Sequence, residues 1–396
     1  MRAAIALSLV TVVAACGGRT GLGTGGAAAD AAPDAQADGA TDSGQDGALP
    51  PLTGPELALG AGHSCAIMPD RTVRCWGANG YAQLGDGTKQ DRHNPVPIAG
   101  LQDVAQISGG YTHTCARDLS GRVYCWGENH VGQVGNGQNC PPNDYYCCVL
   151  SPSPVAGIDG ISVAAGGIHS CAVASNHHVH CWGYNTYGGL GNGSTDDSNV
   201  PVEVTGVTNA VAVAAGWTHT CMLSSKGTAK CWGLNEVGEL GNGAVVDGPT
   251  TTPQDVVGLT GVVQLSLGDF FSCALIEDGT VACWGMNARG QLGDGTTTDR
   301  SVPGPVVGLH DVAQISAHED MACARRNSGD VWCWGLDNPV PKAVAGLSQA
   351  TDMSSGEQHA CARAGQTQVV CWGWNSNGQL GDGTTLDHAA PAPVVW

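Results

Sequence analysis

The stretch Gly216-Trp-Thr-His-Thr-Cys-Met-Leu-Ser-Ser-Lys-Gly-Thr-Ala-Lys-Cys-Trp-Gly233 decides the reading of this chain, because it returns seven times. Its fixed points are two cysteines ten residues apart, the second followed by Trp-Gly. The pairs are Cys65 with Cys75, Cys115 with Cys125, Cys171 with Cys181, Cys221 with Cys231, Cys273 with Cys283, Cys323 with Cys333 and Cys361 with Cys371. First cysteines of neighbouring copies lie 38 to 56 residues apart. A period of that size marks a repeat architecture, in which each copy is one supersecondary unit that buries its apolar face only against its neighbours.

Each copy reads as a β-hairpin. Turn residues such as Lys226-Gly227, Asp278-Gly279 and Ser328-Gly329 lie midway between the cysteines and supply the φ > 0 conformations of a tight turn. Reflection about that turn puts the two cysteines directly opposite, roughly 4.5–5.5 Å apart between Cα atoms, which suits a disulfide. Seven hairpin-stapling bridges follow. Zinc ligation by paired thiolates wants a CxxC spacing, which none of these pairs has. After Trp-Gly comes a second phrase, as in Asn287-Ala-Arg-Gly-Gln-Leu-Gly-Asp-Gly295. A Pro-Val run and an apolar strand follow, such as Val104-Ala-Gln-Ile-Ser108. About four short strands per copy, stacked radially, make the blade of a propeller.

The phrase His-x-Cys-Ala…Gly-x-Val-x-Cys-Trp-Gly-x-Asn-x-x-Gly-Gln-Leu-Gly-Asp-Gly resembles the regulator-of-chromosome-condensation repeat over residues 55–396. The resemblance implies a seven-bladed β-propeller, in agreement with the copy number. The chain departs from the family in its cysteine pairs, at positions usually held by an aliphatic and a small or polar residue. That departure points to an oxidising compartment. The strand Glu56-Leu-Ala-Leu-Gly60 is expected to complete the last blade, because the chain ends at Trp396 just before such a strand falls due.

The net charge of −19 excludes nucleic acid as a partner, since such binding rests on phosphate neutralisation by Lys and Arg. Residues 1–15, with a basic start, a short apolar run and small residues at the end, read as a signal peptide. Val13-Ala-Ala-Cys16 resembles the bacterial lipobox, which implies lipidation of Cys16 and a membrane contact through that anchor alone. Residues 16–54, rich in Gly, Ala and Asp, read as a disordered tether. The expected location is the bacterial cell envelope, outer membrane, periplasmic or surface-exposed, and the expected state is a monomer. Copy two carries an insertion with Cys140, Cys147 and Cys148. One bridge from Cys140 to Cys147 or Cys148 is expected, leaving one thiol over. Copy six lacks the Gly-Gln-Leu-Gly-Asp-Gly phrase, so its blade should be clipped on one rim.

No catalytic motif is present, and the reading assigns no cofactor, no metal and no enzymatic activity. His63, His113, His169, His219 and His359 stand two residues before the first cysteines. They read as a repeated structural hydrogen bond within each blade, since copies five and six carry Phe271 and Met321 there. The Gly-Asp-Gly triplets and the cluster Asn176-His-His-Val-His180 read as turns. The informative positions are those that vary inside the frame, at the loop before each hairpin. There Tyr111, Trp217, Asp269, Phe270, Glu319, Asp320 and Glu357 are expected to form one ring that recognises a protein partner. The resemblance supports this, because secreted β-lactamase inhibitory proteins with this propeller bind through corresponding loops. Tyr145 and Tyr146, in the copy-two insertion, are a second candidate site. The functional expectation is a lipid-anchored binding or scaffold module, inhibitory or adhesive. The alternatives are a polysaccharide-active enzyme and, least favoured, a guanine-nucleotide exchange factor.

Overall fold

The computed structural model describes residues 56–138, 140, 147–365 and 368–396. The expectations for residues 1–54, and those for Tyr145 and Tyr146, lie outside the described residues. Every helical or strand element among the described residues is a β-strand. The strands form seven four-stranded antiparallel units in chain order, the arrangement of a β-propeller. Five units are separate sheets. The second and third merge into one seven-stranded sheet, because the 18-residue strand Cys148–Ala165 is the last strand of one and the first of the next.

The N-terminal strand does not complete the last unit. Glu56–Leu59 pairs with His63–Ile67 and is the first strand of unit one. Unit seven is whole without it, since its four strands run from Ala350–Ser355 to His388–Pro393. The physical reason is local: a three-residue loop lets an apolar strand fold back on the strand that follows it, so each first strand belongs to the hairpin downstream. The N-terminal strand instead joins units one and seven side by side. Leu57 N donates to Asp352 Oδ2 (2.8 Å) and Leu59 N to Ser354 Oγ (3.3 Å).

This is how the first strands, which have no strand on their inner edge, satisfy their peptides. Gln106 mimics a backbone amide: its Nε2 donates to Val163 O (2.9 Å) and its Oε1 accepts from Val163 N (3.1 Å). Gln264 does the same to Ile315, and Gln314 to Met353. Asp352 supplies the acceptor for unit one.

The hairpins follow the expected register, and the cysteines of each pair are direct cross-strand partners. All seven expected bridges are present. Cys65 bonds Cys75, Cys115 bonds Cys125, Cys171 bonds Cys181 and Cys221 bonds Cys231. Likewise Cys273 bonds Cys283, Cys323 bonds Cys333 and Cys361 bonds Cys371. Their Cα–Cα distances are 4.0–4.1 Å. That is shorter than the roughly 4.5–5.5 Å expected of cross-strand neighbours, because the bond draws the two strands together. Cys125, Cys181 and Cys283 are fully buried, whereas Cys333 of copy six is half-buried. In the insertion Cys140 bonds Cys147, and Cys148 is the free thiol.

The core lies between units. The tryptophan of one unit packs on the disulfide of the unit before it: Trp126 on Cys65–Cys75, Trp182 on Cys115–Cys125, Trp232 on Cys171–Cys181 and Trp284 on Cys221–Cys231. Trp334 packs in the same way on Cys273–Cys283, and Trp76 on Cys361–Cys371. Each of these bridges is therefore apolar filling as well as a staple. The indole N–H donates to a carbonyl of the preceding unit's outer loop, as Trp284 Nε1 does to Glu239 O (2.8 Å). Copy six has no such loop. Its third and fourth strands turn through Leu336-Asp337, both at positive φ (49° and 72°). Trp372 of the next unit is only half-buried, and so is the Cys333 it packs with.

The histidines bind between units, not within them. His63, His113, His169, His219 and His359 each place Nε2 2.7–3.0 Å from a Ser or Thr hydroxyl of the next unit. Each hydroxyl also lies 2.8–3.0 Å from a carbonyl of the outer loop that receives the indole. A carbonyl only accepts, so the hydroxyl proton goes there and the imidazole must donate.

Candidate functional site

In an antiparallel four-stranded unit the loop between strands one and two (inner loop) and the loop between strands three and four (outer loop) emerge on the same face. The residue after Cys-Trp-Gly ties them together: Tyr184 N donates to Ile168 O (3.0 Å), Leu234 N to Thr218 O (3.2 Å), Met286 N to Phe270 O (2.8 Å) and Trp374 N to Gln358 O (2.8 Å). The seven predicted positions are all on inner loops, and the structure brings them to this face. The insertion of copy two begins and ends on it as well, since Asn129 N donates to Cys147 O (3.0 Å).

The inner loops also bond to one another. Gly167 N donates to Gly216 O (3.0 Å), Trp217 N to Asp269 O (3.4 Å) and Asp269 N to Glu319 O (3.3 Å). Copy three contributes glycine where its neighbours carry side chains. Across that gap Tyr111 of copy two meets Trp217 of copy four edge to face, with ring centroids 5.8 Å apart. Both rings are half-buried, as is Phe270.

The acidic members gather on the next three loops. Asp269 is 3% exposed, and Glu319, Asp320 and Glu357 are half-buried. Burial, with Glu319, Asp320 and Glu357 adding to it, holds the Asp269 carboxyl well above the usual carboxylate range. Burial and the charges of Glu357 and Asp320 push Glu319 up to about 8. Burial also raises Asp320 and Glu357. Asp320 is engaged by protein groups, accepting from Gln291 Nε2 (2.9 Å) and Arg289 Nη1 (3.3 Å), while Arg289 also pairs with Asp337 (2.9 Å). In contrast, Asp269 Oδ1 and Glu319 Oε2 are buried with no hydrogen-bond partner.

Other polar clusters are structural. Asp86 accepts from Thr88 and Arg92 (2.7 Å), Asp294 from Thr296 and Arg300, and Asp382 lies 2.7 Å from His388 Nε2. His178, in the histidine-rich turn, lies 2.8 Å from Glu203. The ring has outer neighbours that the sequence reading passed over. Tyr184 and Trp374 are half-buried aromatics immediately after Cys-Trp-Gly, and Tyr184 packs on Tyr187 at 6.2 Å. The signal was available, because that position varies within an otherwise fixed phrase as the inner loops do.

These features define a disulfide-rich propeller whose variable loops share one face. The regulator of chromosome condensation (RCC1) repeat matches at residues 72–117, 120–173, 176–223, 227–275 and 278–325, and a second form of the repeat matches six stretches between 56 and 379. The chain belongs to the RCC1 repeat family. It is 29% identical over 252 residues to the ultraviolet-B receptor UVR8 of Arabidopsis thaliana, a match covering 62% of this chain and 44% of that receptor. It thus spans less than half the length of this relative. Among solved structures, human WBSCR16 superposes with a TM-score of 0.72 at 22% identity, over 82% of this chain and 95% of that one. Yeast RCC1 (Prp20), solved with Kap60, gives 0.72 at 21% identity, over 87% and 85%. These likenesses show the fold. The eight disulfides suggest an oxidising, extracytoplasmic setting.

Proposed function

We propose that this protein is an extracytoplasmic binding module, anchored through lipidated Cys16, that captures a protein partner on its variable-loop face. It acts as a monomer and without catalysis. One observation carries the reading: the Tyr111–Trp217 pair, 5.8 Å between centroids, stands on backbone-bonded loops, the Trp217 loop tied to the next copy through Trp217 N–Asp269 O and the Tyr111 loop to its own outer loop through Glu128 N–Thr112 O. Preorganised loops lose little entropy on binding, and partly buried aromatics are the usual anchors of an interface. UVR8 is a receptor by name, which agrees with a recognition role for this propeller family.

The alternative of a polysaccharide-cleaving enzyme draws on the same carboxylates. Such an enzyme divides labour between one carboxyl kept protonated and another kept ionised. Here Asp269, Glu319, Asp320 and Glu357 are all shifted upward by burial, which by itself assigns no acid and base, and the Tyr111–Trp217 pair on the same face favours binding.

The test is a crosslinking capture from the native cell envelope with the full-length protein as bait. Trp217→Ala should weaken the captured complex by at least about 2 kcal/mol, roughly 30-fold. Lys226→Ala, on the opposite face, should leave it unchanged. If Trp217→Ala binds normally while shortening the copy-two insertion abolishes capture, the ring is not the site.

A further inference from the structure

The carboxylates at the ring raise a separate question: what they are for. Burying an ionisable carboxyl without a partner is costly, and here two such oxygens, Asp269 Oδ1 and Glu319 Oε2, are buried with none. They lie on adjacent loops joined by the Asp269 N–Glu319 O bond, and Glu357 stands on the loop after them. Arg289, the cation beside them, is already held by Asp320 and Asp337. On the other side of Asp269, the Trp217 N–Asp269 O bond joins its loop to the one that carries Trp217, whose ring meets Tyr111.

We infer that this corner of the face is the seat for one guanidinium group, presented by an arginine of the protein partner. The inference rests on the binding role proposed above and specifies its chemistry. Burial otherwise holds these carboxyls protonated, so a cation docking here binds together with their ionisation and should bind more tightly as pH rises through about 8. Among the described residues no group of His, Cys, Asp or Glu side chains is placed to hold a metal ion, and the cation proposed is an organic one. A guanidinium is planar, donates to carboxylates in a fixed fork, is weakly hydrated and stacks on aromatic faces. An ammonium matches the carboxylates but not the rings as well. The bound cation also relieves the repulsion between Asp269 and its acidic neighbours, so neutralising the carboxylates should weaken binding without harming the fold.

The experiment titrates the full-length protein with N-acetyl-arginine amide, using ligand-observed NMR. N-acetyl-lysine amide, N-acetyl-norleucine amide and calcium chloride are run in parallel. The expected result is saturable binding of the arginine derivative, weaker binding of the lysine one and none of the norleucine one. Glu319→Gln and Asp269→Asn should each weaken the arginine derivative about tenfold, the loss of one charge-assisted hydrogen bond. Absence of saturable binding would overturn the inference. So would equal binding of the norleucine derivative, displacement of the arginine derivative by calcium, or unchanged affinity in both variants. The two proposals fail separately. A partner captured through Trp217 but not competed by the arginine derivative removes the seat and leaves the binding role. Saturable arginine binding with no captured protein removes the partner and leaves the seat.

Discussion

The five inter-unit histidines allow the packing between units to be tested by exchange between copies. In copy four, His219 Nε2 lies 3.0 Å from Ser272 Oγ of copy five, and both side chains are fully buried. In copy five the equivalent of His219 is Phe271, and the residue it faces in copy six is Ala322, in the same apolar cluster. In copy six Met321 faces Ala360 in the same way. Where the imidazole is absent, so is the hydroxyl. Installing the copy-five solution in copy four, His219→Phe with Ser272→Ala, should therefore be tolerated, whereas half of it should not. Ser272→Ala alone leaves a buried imidazole N–H with no acceptor and should cost about 1–3 kcal/mol. His219→Phe alone leaves Ser272 bonded to Glu239 O (3.0 Å) and should cost about 0.5–1.5 kcal/mol, the net worth of one hydrogen bond. The double variant should lie within about 1 kcal/mol of the parent, so the coupling between the two sites should be about 1–3 kcal/mol.

The same substitution changes the response to acid. Burial pushes His219 down to about 3. The unfolded chain takes up a proton near the ordinary value of 6.5 while the folded one does not, so stability is present above about 6.5 and is lost as pH falls towards 3. Between pH 7 and pH 5 this one histidine accounts for about 2 kcal/mol, at 1.36 kcal/mol per pH unit. Buried acids such as Glu239, pushed up to about 7 by burial, act in the opposite sense. They are common to parent and variant and largely cancel in the comparison. Urea unfolding of the four proteins at both pH values measures each quantity. Additive single effects, or an unchanged loss from pH 7 to pH 5 in the double variant, would refute the idea that this pair is one coupled unit.

Deleting Glu56–Leu59 removes Leu57 and Leu59 from the cluster between units one and seven. It should cost at least about 3–6 kcal/mol, the burial of two leucines, whereas deleting residues 17–50 should not shift the melting temperature; equal melting of the two truncations would contradict the observed placement. Cys16→Ser should move the protein from the membrane fraction to the soluble fraction, and identical fractionation would remove the proposed anchor.

The hairpin and its disulfide were legible in the sequence because they depend on residues ten positions apart, and the four-strand unit because each of its strands pairs with the next one along the chain. The period-two strands, the turn glycines and the ten-residue spacing all point to one register. The partner of the N-terminal strand was misjudged because counting from the chain's end treats the apolar strand as the tail of a unit. The short loop Gly60–Gly62 instead makes it the head of the next. The ring residues were legible as variation in a fixed frame. That Tyr111 and Trp217 touch across an entire copy was not, because it depends on the curvature of the ring and on the absence of a side chain at Gly167. Likewise, the sequence shows five repeated histidines but not that their hydroxyl partners sit in the next unit, 51 to 57 residues downstream for four of them and, for His359, back at Ser64 of unit one.

Copy six shows how closely the local choices are tied to one another. The residue five before the first cysteine is glycine in every copy but copy six, which carries His318. A Cβ at Gly216 would sit 2.3 Å from His219 Cε1, and one at Gly268 2.0 Å from Phe271 Cε1. The glycine is thus required by the ring that its own copy carries three residues later and by the backbone of the next copy, since a Cβ at Gly110 would also sit 2.5 Å from Gly166 O; its backbone angles do not demand it. In copy six that ring is replaced by the slender Met321, and a side chain at the glycine position becomes admissible: His318 fills it, fully buried. Met321 in turn needs an apolar neighbour, and Ala360 of copy seven supplies it. The loss of the outer loop in the same copy removes the carbonyl that would receive both a hydroxyl and an indole N–H from copy seven. Copy seven answers with Ala360 in place of the hydroxyl and leaves Trp372 half-buried. A deviation that looks like decay of the repeat is a set of matched substitutions, each admitted by the removal of the group it would have met.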